Sequence, residues 1–148
     1  KKYFKEDHSI FFNVIKNNKI KKTYRIPNSS YLSNKKLYFN YIQYHKNMVL
    51  EINKQILTHN GNTYLFGAHI FSQYLIEFGV KIEKIKFILD NDKNKQQKRL
   101  YGTNLIVKSP KILALDKNPL VILKAGVYNN EIKTDIINNI NEKTIFIE

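Results

Sequence analysis

Short apolar runs alternate with helix-forming segments through the second half of the chain, and this alternation restricts the fold more than any other feature. Strands and helices that alternate over such lengths favour parallel strands joined by right-handed crossovers. The sequence therefore predicts an α/β domain over residues 61–148, with a Rossmann-like, mainly parallel sheet flanked by helices. The predicted strands are 63–66, 85–89, 105–107, 120–123 and 144–147, and the predicted helices are 70–77, one starting at 109–110, and 130–140.

A long helix is predicted immediately before this domain. Apolar side chains recur at spacings of three and four residues from Leu37 to Ile56, as on one face of a helix. Asn34 is a suitable N-cap, and Gly61 supplies a stop because glycine takes the left-handed backbone conformation without penalty. We expect a helix over residues 34–57, within a linking segment 34–60 that joins the domain to whatever precedes it.

Residues 1–33 are predicted to form an arm that contains a β-hairpin. Residues 9–16 and 19–26 are β-prone runs, and they flank Asn17 and Asn18, which tolerate left-handed φ angles. Pro27 and the polar residues 28–30 end the second run. The first residue is lysine and not methionine, so we expect this chain to be a fragment of a longer protein.

Composition restricts the partners and the compartment. The absence of cysteine excludes disulfides and thiolate metal sites and fits a cytoplasmic protein. No apolar run approaches the roughly 20 residues of a membrane-spanning helix, so membrane insertion is not expected. The formal net charge of +13 comes almost entirely from lysine, with only Arg25 and Arg99 for bidentate contacts to phosphate or guanine. Nucleic acid is therefore not the expected partner, although any basic surface attracts a duplex.

The turn Gly67, Ala68, His69 follows the first predicted strand and opens a helix. In doubly wound sheets, ligands lie beyond the carboxyl ends of the strands, where a helix N-terminus offers free N–H groups to phosphate. Gly67 would let the backbone approach such a group closely. The G-x-G-x-x-G fingerprint is incomplete, because His69 and Ser72 occupy its second and third glycine positions. A tight turn that simply needs glycine explains Gly67 equally well.

Two further segments end strands at the same predicted edge. Asp90 lies 23 residues after Gly67, where dinucleotide folds often carry a carboxylate for ribose hydroxyls, although aspartate is also a common first residue of loops. Lys124 follows the fourth strand and can pair with a phosphate, while Tyr128 or Asn129 can contact a sugar or base. The alternative is a glycine turn in which Asn129 caps the next helix.

Candidates for proton transfer or metal binding are few. Asp7 and His8 are adjacent, but a carboxylate and a histidine form a proton-transfer unit only if their side chains converge. The four histidines are scattered without the spacing of metal ligands, so no metal site is predicted.

Several short segments form a familiar pattern when they are taken in order. They are residues 64–69, 87–92 with Lys95 and Gln96, 101–103, Ser109 with Pro110, and 128–132. In their order and spacing these segments resemble the C-terminal domain of the sugar C-methyltransferase family, which acts on nucleotide-linked deoxysugars. The resemblance covers roughly Lys36 to the carboxyl end, including the long helix.

The resemblance implies a protein of three parts: an N-terminal zinc-binding region, a central S-adenosylmethionine domain and this Rossmann-like tail, which helps to hold the nucleotide sugar. We therefore expect no cofactor in this chain and no catalysis by it alone, with S-adenosylmethionine bound in an upstream methyltransferase domain. Residues 1–33 then correspond to the exit from that domain. The family carries a Glu-His pair there, which makes Asp7 and His8 the matching catalytic candidates.

The expected function is binding of a nucleotide-linked sugar for a methyltransferase of bacterial surface-polysaccharide or deoxysugar biosynthesis. The alternative is a non-catalytic interaction module that uses the same fold and a basic surface to bind a partner protein or a polyanion. A free-standing nucleotide-binding enzyme is the third possibility. The expected substrate-binding residues are Gly67, Ala68, His69, Asp90, Lys124, Tyr128 and Asn129.

Overall fold

The computed structural model describes residues 2–3, 10–11, 16 and 28–148. The chain divides into two compact units, Lys1–Lys36 and Leu37–Glu148. In the first unit, β1 (Lys2–Tyr3) pairs antiparallel with β2 (Ile10–Phe11). The strand β2 lies within the first predicted run of the hairpin. The predicted turn at residues 17–18, the second run at 19–26, and the candidates Asp7 and His8 lie outside the described residues.

The long helix α1 spans Asn28–Thr58 and begins six residues before the predicted start at Asn34. Asparagine and serine are favoured at helix starts, and residues 28–30 are Asn-Ser-Ser. The polar segment that was expected to separate the hairpin from the helix therefore forms the first turn, and Asn34 lies inside the helix and is not its cap. Near its carboxyl end, α1 buries Val49, Ile52 and Ile56.

Five parallel strands form the sheet of the second unit, which confirms the predicted α/β fold. They are β3 (Thr63–Phe66), β4 (Ile85–Leu89), β5 (Val107–Lys108), β6 (Leu120–Leu123) and β7 (Ile145–Ile147), in the spatial order β5-β4-β3-β6-β7. The chain builds outward from β3 on one side, then crosses back to add β6 and β7 on the other. The switch in strand order lies between β3 and β6, where doubly wound sheets bind their ligands.

Side chains alternate between the two faces of the sheet. Leu65 and Ile122 pack on the side of α1 and α2 (Ile70–Glu77). Tyr64 and Val121 face the other side, which is covered by α3 (Asn129–Asn139) and a 3-10 helix, Pro110–Leu115. Every residue of β3 and β6 is buried, which is why these strands are mainly apolar and do not alternate with exposed polar residues.

Gly61 serves a purpose different from the one predicted for it. The glycines with left-handed φ angles are at positions 67, 79, 102 and 126, and Gly61 is not among them. A Cβ at Gly61 would instead overlap the backbone carbonyl oxygen of Asn118. His59 Nε2 lies 2.9 Å from the same oxygen. Glycine is therefore required at position 61 because two backbone segments approach each other closely.

None of the helices among the described residues combines the length and the hydropathy needed to cross a bilayer.

Candidate functional site at the carboxyl edge of the sheet

The turn after β3 and the end of β4 meet, as the parallel topology predicts. The β3 turn consists of Gly67, Ala68 and His69. The N–H of Gly67 donates to the carbonyl oxygen of Leu89 at 2.7 Å, and the N–H of Ala68 donates to Asp90 Oδ2 at 2.8 Å. Gly67 has a φ of 102°, in the left-handed region that favours glycine. These contacts fix the turn to the neighbouring strand.

The Asp90 carboxylate is buried and largely occupied by the protein's own donors. The residue is 7% exposed. Its Oδ1 accepts the N–H of Asp92 at 2.9 Å, and its Oδ2 also lies 3.2 Å from Lys95 Nζ. Burial acts to raise the pKa of Asp90, but the hydrogen bonds from Asp92, Ala68 and Lys95 outweigh it and hold the pKa below its ordinary value. A carboxylate has about four acceptor positions, so little capacity is left for a ribose.

This arrangement bears on which ligands the β3 turn can take. The ionised Asp90 lies at the N-terminus of α2, where the helix dipole favours a negative charge, and it already uses the N–H of Ala68. A diphosphate at the turn would compete with a carboxylate of the same sign. The ribose of S-adenosylmethionine would meet acceptors that are already bonded. The residues present therefore do not fit S-adenosylmethionine at the β3 turn.

His69 closes the turn over Gly67. It is the N-cap residue of α2, but its side chain makes no capping hydrogen bond. A Cβ on Gly67 would overlap the His69 ring, and that ring packs edge-on against Phe71 with centroids 5.6 Å apart. Nδ1 of His69 is buried without a hydrogen-bond partner among the described residues. Burial lowers the pKa of His69, with Asp90 acting in the opposite direction and Lys95 adding to the decrease, so the site favours the neutral ring.

The loop after β6, residues 124–129, is held by Asn129. Oδ1 of Asn129 accepts the N–H of Ala125 at 2.8 Å, and Nδ2 donates to the carbonyl oxygen of Leu123 at 3.3 Å. The Asn129 amide therefore closes this β6 loop and does not cap α3, whose N-cap is Tyr128. The ring of Tyr128 is exposed.

Lys124 lies in a groove of about 360 Å³ formed by α1, α2, the β6 loop and the last residue of the chain. Half of its lining residues carry an aromatic or imidazole ring, and the His45 ring stacks on Phe78 with centroids 5.4 Å apart. We call this the aromatic groove. Its lining residues are Tyr41, Tyr44, His45 and Met48 of α1; Phe71, Tyr74, Leu75 and Phe78, from α2 and its C-cap; and Lys124, Gly126, Asn129 and Glu148.

The ammonium group of Lys124 has no ion-pair partner among the described carboxylates. Glu148, which also lines the aromatic groove, is paired with Lys133 at 3.0 Å. Partial burial lowers the pKa of Lys124, and the charge of Glu148 opposes that shift. A partly buried ammonium without a salt bridge is available to an anionic ligand.

Of the predicted site residues, the structure thus joins Gly67, Ala68, His69 and Asp90 in one cluster and places Lys124 and Asn129 in the aromatic groove. Phe71 connects the two, because it contacts His69 and lines the groove.

Sequence reasoning missed the aromatic walls. Tyr41 and Tyr44 belong to the apolar helical face, but they are 54% and 67% exposed. The sequence does contain a pattern that could have predicted these walls: aromatic residues at positions 71, 74 and 78 recur at the spacing of one helical face.

No protein-family profile, curated protein or solved structure matches this chain. Within the part of the chain that the structure describes, no three histidine, aspartate or glutamate side chains converge as a metal site would require.

Proposed function

We propose that this chain binds a nucleotide-linked sugar in the aromatic groove, as the substrate-holding part of a sugar methyltransferase. One observation carries the proposal: aromatic walls and the Lys124 ammonium group, which has no ion pair with a described carboxylate, lie together beside the β3–β6 switch in strand order. Aromatic side chains stack on bases and pack against sugars, and a lysine attracts a diphosphate as a point charge. The groove volume of about 360 Å³ is within the usual range of small-molecule pockets.

The proposal assigns different tasks to the two parts of the carboxyl edge. The β3 turn and Asp90 fix the backbone of the site, because their hydrogen bonds are used within the protein. The aromatic groove supplies the surfaces and the charge that a ligand can use. The ligand therefore lies nearer to α1 and α2 than the sequence predicts.

Assignment to the methyltransferase family rests on the order of the resembling segments. The assignment is consistent with the Asp90 carboxylate, whose internal hydrogen bonds leave little capacity for the ribose of S-adenosylmethionine, because the family binds its methyl donor in a different domain. We propose that S-adenosylmethionine is held outside this chain, and that Asp7 and His8 are the residues of this arm to examine for proton transfer. The chain alone is then a binding domain without methyl-transfer activity.

The proposal is tested by titrating the isotope-labelled chain with dTDP and with a dTDP-linked deoxysugar, followed by NMR. We expect saturable shifts at Tyr41, Tyr74 and Lys124, with the sugar adding shifts that dTDP alone does not cause. The variant Tyr74→Ala should weaken binding, since it removes one wall of the groove. Tyr101→Ala is the matched control, because Tyr101 is 87% exposed and lies outside the groove.

Three other results would each contradict the proposal. Shifts centred on Gly67 and Asp90 would place the ligand at the β3 turn. Shifts spread over the lysine-rich first 60 residues would favour the polyanion-binding module. Saturable micromolar binding of S-adenosylmethionine, measured by calorimetry, would show that the chain holds its own methyl donor.

A further inference from the structure

The second face of the sheet is incompletely covered over β4 and β5. Helix α3 covers the side of β6 and β7, whereas the crossover from β5 to β6 contains only the 3-10 helix Pro110–Leu115. A groove of about 690 Å³ remains there. We call it the lysine groove; it is lined by Asn62, Tyr64, Lys86, Phe87, Gln97, Lys108, Ser109, Ile112, Leu115, Asp116 and Lys117.

The floor of the lysine groove is apolar and one rim residue projects into solvent. Tyr64, Phe87 and Ile112 form the floor, and Phe87 and Ile112 are only partly buried. Leu115 is 92% exposed. A leucine that contributes almost nothing to its own core, placed beside an apolar floor, adds to the surface that a partner can bury.

The charges around this floor are predominantly positive. Lys86, Lys108 and Lys117 line the groove, and none of them forms an ion pair with a described carboxylate. Nζ of Lys108 lies 5.6 Å from the Phe87 ring centroid and donates to Gln97 Oε1 at 2.8 Å. The charge of Lys86 helps to lower the pKa of Asp116, but no described carboxylate lies within ion-pair distance of any of the three lysines around the apolar floor.

Among the described residues, Asp116 is the single carboxylate that lines the lysine groove, and its oxygens are used internally. Oδ2 accepts from Tyr64 Oη and from Asn62 Nδ2, both at 2.7 Å. Oδ1 accepts the N–H of Asn118 at 3.2 Å. These hydrogen bonds of Asp116 fix the end of the 3-10 segment. Around the floor, three positive lysine charges therefore face one negative charge, that of Asp116.

The adjoining sheet edge is closed to an added strand. The N–H of Gln97 donates to the carbonyl oxygen of Val107, and the N–H of Val107 donates to that of Lys98, both at 2.8 Å. Arg99 and Ile106 form an antiparallel bridge next to them. The backbone of β5 is therefore paired on its outer side, and a partner must dock through side chains, as an amphipathic helix does.

We propose that the lysine groove docks an acidic amphipathic helix of a partner protein. The apolar stripe of that helix lies on Phe87, Ile112 and Leu115, and its flanking carboxylates meet the three lysines. The lysine groove belongs to the face opposite α1 and α2, so a partner there leaves the aromatic groove accessible. The inference does not depend on the proposed function.

The test uses a synthetic 18-residue helical peptide with leucines along one face and glutamates beside them, titrated into the isotope-labelled chain in physiological salt. Saturable NMR shifts at Phe87, Lys108 and Leu115 are expected. Leu115→Ser should raise the peptide Kd about tenfold, as the loss of a central apolar contact does. The fold should be retained because Leu115 is exposed, and Leu50→Ser, on an exposed leucine of α1, is the matched control.

The charge contribution is tested with the double variant Lys86→Glu/Lys117→Glu. Its control is the double variant Lys46→Glu/Lys143→Glu, which changes the net charge by the same amount at exposed sites outside the groove. Only the first pair should weaken binding strongly. Equal weakening by both pairs, equal binding of polyglutamate, or no saturable shift up to about 1 mM peptide would overturn the proposal. Displacement of the peptide by dTDP, with dTDP shifts at Phe87, would show a small-ligand site instead.

Discussion

Two parts of the same sheet edge use their polar groups in opposite ways. At the β3 turn, the N–H groups of Gly67 and Ala68 and both oxygens of Asp90 are bonded within the protein. In the aromatic groove, Lys124 has no described ion-pair partner and the neighbouring rings are partly exposed. The comparison shows that a strand-to-helix turn with such residues can be occupied by the protein's own hydrogen bonds, while the groove that we propose as the ligand site lies one connection away.

The topology explains this division. Strand β4 lies directly beside β3, so Asp90 meets the β3 turn and the two close on each other. At the β3–β6 switch, the connections leave in opposite directions and a crevice opens between them. The middle of α1 and one face of α2 with its C-cap provide the walls of that crevice through their aromatic residues.

The largest expected effect concerns the closed region. Gly67→Ala combines a left-handed φ angle with overlap on the His69 ring, so it should destabilise the fold by about 1–3 kcal/mol or more. Urea unfolding measures this loss. Gly102→Ala is the matched control, because Gly102 also has a positive φ but has open space around its Cβ position. Equal losses in both variants would show that His69 yields freely and that the turn is not closed.

Asp90→Asn is expected to have the second largest effect, about 1–2 kcal/mol, because it removes charge-assisted hydrogen bonds at a buried site. The pKa of Asp90 is lowered in the folded state, so its contribution is present above the unfolded pKa and is lost as the pH falls through the folded value. The stability of the unmodified chain should therefore decline as the pH drops below about 3.8. Urea midpoints measured from pH 7 to pH 2 should converge for the two proteins; parallel curves would contradict this role.

The fold was accessible from the sequence because parallel strands leave a clear pattern. Leu65 and Ile122 lie in mainly apolar runs without alternating polar residues, as in strands buried on both faces. The start of α1 was not accessible, since Asn28, Ser29 and Ser30 carry no apolar period and also suit a loop. The role of Gly61 was missed because its restriction comes from the distant Asn118.

The site was only partly predictable for a similar reason. That Gly67 and Asp90 meet follows from parallel strands, whereas the hydrogen bonds that occupy Asp90 depend on how Asp92 and Lys95 fold back on it. The aromatic groove requires α1 to pack beside α2. Periodicity gives the apolar face of each helix, but it does not show which rings the packing leaves exposed.

Lys124→Ala should separate binding from stability in the open region. We expect about a tenfold loss of affinity for dTDP, in line with a charge-assisted contact, and an almost unchanged urea midpoint. The affinity should also fall at alkaline pH, starting below the ordinary lysine pKa of 10.5, because partial burial lowers the pKa of Lys124. Calorimetry at several pH values checks both effects. A large stability loss with unchanged affinity would make Lys124 part of the closed region.

The smallest effect is expected for Lys46→Ala, and it decides whether binding is local. Lys46 is an exposed residue of α1 and does not line the aromatic groove, although His45 next to it does. At physiological ionic strength, exposed charges are screened beyond roughly 8 Å, so the loss of this ammonium should change the dTDP Kd by less than about twofold. If dTDP is held by contacts in the groove, raising the salt concentration weakens binding to both proteins in parallel. If the net charge of +13 attracts any anion, Lys46→Ala and Lys124→Ala will lose affinity equally, and the steep salt dependence will favour the polyanion-binding module.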